Sequence, residues 1–118
     1  MTIVASIAVG FVAALHLYFL VLEMFLWDKP AGLRAFRQTP ENAALTKTLA
    51  ANQGLYNGFL VAGLVWGLML GVAGEPVLIF FLGCVIVAGI FGAITVSRRI
   101  LWIQATPAAI ALALVLLT

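Results

Sequence analysis

The chain has 118 residues, enough for one folding unit, and 65% of them are hydrophobic while only 8% are charged, against about 45–50% and about 25% in soluble domains. Six basic and four acidic side chains are too few to cover a water-soluble surface, so the bilayer is expected to solvate most of the outside. The net charge of +2 comes from too few Lys and Arg for a phosphate-tracking patch, which argues against a nucleic-acid partner. The single cysteine, Cys84, excludes an intrachain disulfide and a multi-cysteine zinc site.

Four apolar segments, 2–27, 49–73, 76–97 and 100–118, reach or nearly reach the ~20 residues that cross a ~30 Å hydrocarbon core. Backbone groups find no water partner in lipid, so each segment is predicted to be helical. The runs are continuous and lack dyad alternation, which argues against a β-barrel. The predicted fold is therefore all-α, an integral membrane four-helix bundle forming a single membrane domain over 1–118.

The first segment has no Lys or Arg before Lys29 and outruns a signal-peptide apolar core of ~7–15 residues. It is expected to stay as a span, closed by Asp28-Lys29-Pro30. The loop over 28–48 carries Thr39-Pro40-Glu41, which reads as N-cap, N1 proline and acidic first turn of a helix running into the second segment. Residues 40–73 would then span ~51 Å, so the start of that helix protrudes or bends. Leu33 and Phe36 alternate with Arg34 and Arg37, which fits either a short interfacial turn or a solvated loop. Gly74-Glu75-Pro76 reads as a tight turn, and Ser97-Arg98-Arg99 separates the last two segments.

Charge sets the expected orientation. Lys29, Arg34, Arg37 and Lys47 lie in the first loop and Arg98 and Arg99 in the third, whereas the second carries only Glu75. The positive-inside rule makes the first and third loops cytoplasmic and puts both termini on the non-cytoplasmic side of a multi-pass protein of the inner (plasma) membrane. Trp27 and Trp102 then fall near the cytoplasmic interface.

The second segment carries a packing signal. Gly54 and Gly58 form one four-residue step, and Gly63, Gly67 and Gly71 form a longer one, letting helix backbones approach closely in lipid. Ala88/Gly92 and Gly89/Ala93 repeat the pattern in the third segment. The spacing does not say whether the partner helix lies in the same chain or in a second subunit.

The residues that do not belong in lipid carry most of the functional information. His16 and Glu23 are seven apart on one face of the first segment, ~10.5 Å along the axis, too far to bond directly. Gln53 and Asn57 share a face of the second segment, as do Asn52 and Tyr56. With Thr95 and Gln104, these groups all fall in the expected cytoplasmic half. An unpaired intramembrane carboxyl costs about 2.5 kcal/mol or more. One reading is a polar pocket open to the cytoplasm, with Glu23 as proton or cation site, His16 as proton acceptor or ligand donor, and Asn52, Gln53, Tyr56 and Asn57 as orienting groups. The other is a hydrogen-bond cluster that fixes the helices, or an arginine (Arg98, Arg99 or Arg34) snorkelling in to pair with Glu23. Cys84 reads as a small packing residue.

No GxGxxG, P-loop, CxxC or HExxH is present, so no metal or cofactor is expected and no catalytic residue is assigned. A lone histidine does not ligate haem in bis-histidine fashion within one chain, although a symmetric dimer would supply two.

His16-Leu17-Tyr18, Leu22-Glu23-Met24-Phe25, the run from Ala50 through Gly58 (AANQGLYNG) and Phe81-Leu82-Gly83-Cys84 together resemble the small bacterial membrane proteins of domain-of-unknown-function family 1304. The resemblance covers nearly the whole chain and implies four spans. It places His16, Glu23, Asn52, Gln53, Tyr56 and Asn57 inside the family's motifs and brings no activity with it. In anatomy, though not in motif, the chain is also similar to the small multidrug resistance transporters, short four-helix proteins with a first-helix glutamate.

The expected function is binding or transport of a small molecule or ion through the Glu23/His16 pocket. Four short helices enclose little volume, so a homo-oligomer is expected. The alternatives are an accessory subunit of a membrane complex, docked through the glycine face, and a membrane enzyme or redox subunit holding quinone, lipid or haem.

Overall fold

The computed structural model describes residues 1–118 and contains only helices, turns and short connections. Five α-helices follow in chain order: α1 (Ile3–Met24), α2 (Pro30–Phe36), α3 (Pro40–Met69), α4 (Glu75–Thr95) and α5 (Thr106–Leu116). A 3-10 turn, Gly71–Gly74, leads into α4, and a π-helical turn, Leu101–Ala105, leads into α5.

Two stretches, Ile3–Met24 and Gly71–Thr95, are long and apolar enough to cross a membrane, and Leu101–Leu116 is a shorter apolar helix. The second expected span lies in α3, the longest helix at 30 residues, but Asn52, Gln53 and Asn57 dilute its apolar character. The apolar side chains are turned outward on many turns: Phe11, Phe59, Phe80, Phe91, Ile94 and Trp102 are all exposed. A surface of this kind marks contact with something other than water.

Cα proximity groups the residues into two compact units, Met1–Ala14 with Ala62–Thr118, and Leu15–Val61. The division falls inside α1 and inside α3.

In the first unit α4 packs on α5 and on the π-helical turn. Its buried stripe, Leu78, Leu82, Val85 and Gly89, has the 4-3-4 spacing of one helix face, and Ala108, Ala111 and Val115 are the buried positions of α5. Close approach depends on small residues. A Cβ on Gly89 would lie 2.7 Å from both Cβ and N of Ala105. Gly67 receives Leu78 and Gly63 receives the ring of Phe81. Gly71 differs from the expected packing series: it lies beyond the end of α3 at φ 65°, with nothing within 4 Å of a Cβ position. Its role is conformational, because the left-handed region is strained for residues with a Cβ.

The π-helical turn was not expected, and Pro107 explains it. The proline has no N–H, and its ring crowds the carbonyl four residues back. The preceding turn widens, so that Thr106 N–H reaches the Leu101 carbonyl, and Thr106 Oγ1 donates to the same oxygen at 3.1 Å.

In the second unit α1 ends at Met24, three residues before the expected limit of the segment. The 28–48 stretch is mostly helical. α2 starts on Pro30 and ends in Arg37, which takes a left-handed φ of 52°. The N–H of Gln38 then bonds the Leu33 carbonyl at 2.9 Å, the long closing bond of a Schellman cap. Thr39 Oγ1 accepts from the N–H of Asn42 at 3.2 Å, the N-cap that Thr39-Pro40-Glu41 predicts for α3. Gly32 is buried against the carbonyls of Leu26 and Trp27, where a Cβ would not fit.

Candidate functional site

Burial on α1 follows one stripe. Ala5, Val9 and Val12 are buried, and His16 and Glu23 occupy the same stripe further along, at 0% and 9% exposure. Spacings of four, three, four and seven keep these positions on one face. The two ionisable residues thus stand where the helix pattern would otherwise place aliphatic ones.

Glu23 is met by α3. Asn57, 7% exposed, donates from Nδ2 to Glu23 Oε1. Gly54 stands one turn away and makes room for this approach. A Cβ there would lie 2.5 Å from Met24 Cγ, 3.2 Å from Glu23 Cβ and 3.3 Å from the Leu20 carbonyl oxygen. Gly58 continues the contact against Leu20. The partner of the Gly54–Gly58 step is therefore the second half of α1 in the same chain. The carboxyl of Glu23 is bound by a neutral amide, and Arg34, a candidate to snorkel toward it, donates to the Pro30 carbonyl at 3.4 Å within its own helix.

His16 is fully buried, its ring at 80° to that of Phe19 with centroids 5.5 Å apart. Asn52, Gln53 and Tyr56 do not join the buried pair, for all three are exposed on α3. Asn57 alone among the four polar residues of the ANQGLYNG run turns inward. Thr95 Oγ1 is exposed and donates to the Phe91 carbonyl of its own helix at 2.7 Å.

The connection below the pair is tied by contacts that residue spacing did not reveal. Trp27 Nε1 donates to Thr46 Oγ1 at 3.1 Å, and its ring lies 4.9 Å from that of Phe36. Lys47 Nζ bonds Asp28 Oδ2 at 3.1 Å, and this hydrogen bond holds the Asp28 carboxyl below its ordinary range. The charges of 28 and 47 were legible, but their pairing follows from α2 folding back between them.

The site is thus a buried carboxyl–carboxamide pair, with an imidazole on the same face of α1. Such a carboxyl can take up and release a proton, or exchange the amide for a small cation, and Asn57 orients one of its oxygens.

Among known proteins, the chain is 29% identical over 114 residues, 95% of its own length and 96% of the other, to "Uncharacterized protein YpaA" of Lactococcus lactis subsp. lactis (strain IL1403). No solved structure matches it. The model of the family described as "Protein of unknown function (DUF1304)" matches residues 10–116, a span that includes His16, Glu23 and Asn57, and the chain belongs to this family.

Proposed function

We propose that the protein is a multi-pass inner-membrane protein that binds or transports a small molecule or ion, with Glu23 as its proton or cation site. Four spans, from α1, α3, α4 and the π-turn with α5, place the basic residues of 28–48 and Arg98–Arg99 on the cytoplasmic side. Glu23, in the last turn of α1, then lies about one turn inside that face with Asn57 bonded to it. The observation that carries the reading is a buried carboxyl bonded to a neutral amide rather than to a cation. A purely structural role is served equally well by an apolar pair, whereas an exchangeable proton or cation requires the carboxyl.

A second reading, an accessory membrane subunit, draws support from a different observation: every buried side-chain nitrogen and oxygen has a hydrogen-bond partner. On that reading the pair is a latch between α1 and α3.

Glu23→Gln separates the two, because its Oε1 still accepts from Asn57 while its proton-exchanging acid is gone. Purified protein in liposomes is given a pH step, and proton entry is followed with an internal pH-sensitive dye, alongside infrared difference spectra of the carboxyl band. The transport reading expects proton uptake in wild type and its loss in Glu23→Gln at unchanged helicity. Equal flux in both proteins would sink it and favour the latch.

A further inference from the structure

We propose that the exposed polar patch of α3, Asn52, Gln53 and Tyr56, is a self-association surface that meets the same patch of a second copy of this chain. The inference rests on the membrane reading above and concerns the exposed side of α3, whereas Asn57 is buried.

Asn52 and Gln53 stand four and three positions before Tyr56, so both neighbour it on the helix surface and the three form one patch. All are exposed, and Tyr56 is half uncovered at 52%. Around them the exposed side chains are apolar: Leu49, Leu55 and Phe59. With α3 as a span, the exposed Asp28–Lys47 ion pair sits at headgroup level, and the depth of the patch is counted from it. Asn52 lies ~7.5 Å beyond Lys47 along the helix, Gln53 ~9 Å and Tyr56 ~13.5 Å. Two carboxamides and a phenol hydroxyl therefore face outward at hydrocarbon depth.

Acyl chains offer these groups neither donor nor acceptor, and a polar group left unsatisfied in an apolar medium is costly. A partner must supply both. A carboxamide has an acceptor oxygen and a donor NH₂ and is thus its own complement, as is a phenol hydroxyl. A two-fold axis at this patch brings Asn52, Gln53 and Tyr56 against their own copies, the self-complementarity that an isologous interface requires. Interhelical bonds of this kind hold membrane helices together where the hydrophobic drive is missing.

The full chain is reconstituted in vesicles of phosphatidylethanolamine and phosphatidylglycerol, and its retention after alkaline carbonate extraction is checked. In a Cys84→Ser background, Asn52→Cys is expected to give a disulfide-linked dimer on mild oxidation, whereas Tyr18→Cys, exposed on α1, is not. Single-molecule photobleaching is expected to count two copies per particle. Asn52→Leu combined with Gln53→Leu is expected to weaken dimerisation by about tenfold or more at unchanged helicity. Monomers of wild-type chain retained by the membrane would overturn this inference alone. So would equal cross-linking at position 18, or a leucine variant that dimerises like wild type, as expected if the patch serves a different protein. Release by carbonate would overturn both this inference and the membrane reading.

Discussion

Asn57 Nδ2 donates to Glu23 Oε1 across 34 positions of sequence, and the two buried side chains join α1 to α3. Removing one partner strands the other, which costs about 1–3 kcal/mol, whereas replacing both by apolar groups of similar shape is nearly neutral. Asn57→Leu and Glu23→Leu are each expected to destabilise the α1–α3 pairing by that amount. The double variant is expected to fall short of their sum, with a coupling of about 0.5–3 kcal/mol. Unfolding in bicelles, followed by steric trapping, measures all three. Strict additivity would mean that the two residues act independently.

The glycines divide by what a Cβ would meet. Gly89→Ala drives a methyl into the backbone of Ala105 and is expected to cost about 1–3 kcal/mol, as overpacking does. Gly71→Ala is strained by its φ of 65° and is expected to cost about 1–2 kcal/mol. Gly10 and Gly83 have nothing within 4 Å, so alanine there is expected to be neutral or mildly stabilising. Thermal midpoints of the four variants in one detergent give the order. A Gly83→Ala protein as damaged as Gly89→Ala would contradict the packing described.

Much of this arrangement was legible because it rests on local chemistry. Thr39-Pro40-Glu41 fixed the start of α3, and continuous apolar runs fixed an all-helical chain. The seven-residue spacing of His16 and Glu23 put them on one face, and both are buried. Spacing could not tell which of the polar residues after Ala51 turns inward. Gln53 and Asn57 are one turn apart, yet only Asn57 is buried, because Gly54 and Gly58 set how α3 lies against α1. Gly71 fits the four-residue series by count and leaves it by φ, since the helix has already ended at Met69. Pairings such as Trp27 with Thr46 depend on the path of α2, and no residue period encodes that path.

The Asp28–Lys47 pair makes the connection pH-sensitive in one direction. The hydrogen bond from Lys47 lowers the Asp28 carboxyl below its ordinary value of 3.8. A lowered folded-state value means the contribution is fully present above about pH 4–5 and is lost as the pH falls through the folded-state value. Wild type is therefore expected to be more stable than Asp28→Asn at neutral pH. The gap should narrow on acidification below pH ~4 and in high salt, because the pair is exposed and screened. Thermal midpoints of both proteins across this range test the sign. A gap that widens in acid would reverse it.

The basic residues make the orientation testable without knowing the activity. Lys29 and Arg37 flank α2, Arg34 lies within it, Lys47 lies near the start of α3, and Arg98 and Arg99 precede the π-helical turn. With four spans, both groups lie on one side and the carboxyl end lies on the other. Alkaline phosphatase fused after Thr118 is therefore expected to be active, and green fluorescent protein fused there to be dark. Fusions truncated after Arg37 or after Arg99 are expected to show the opposite pair. An odd number of spans, as when α3 lies along the surface rather than across the bilayer, inverts the result after Arg99 relative to that after Arg37. The two fusion points therefore test whether α3, with its exposed amides, crosses the membrane.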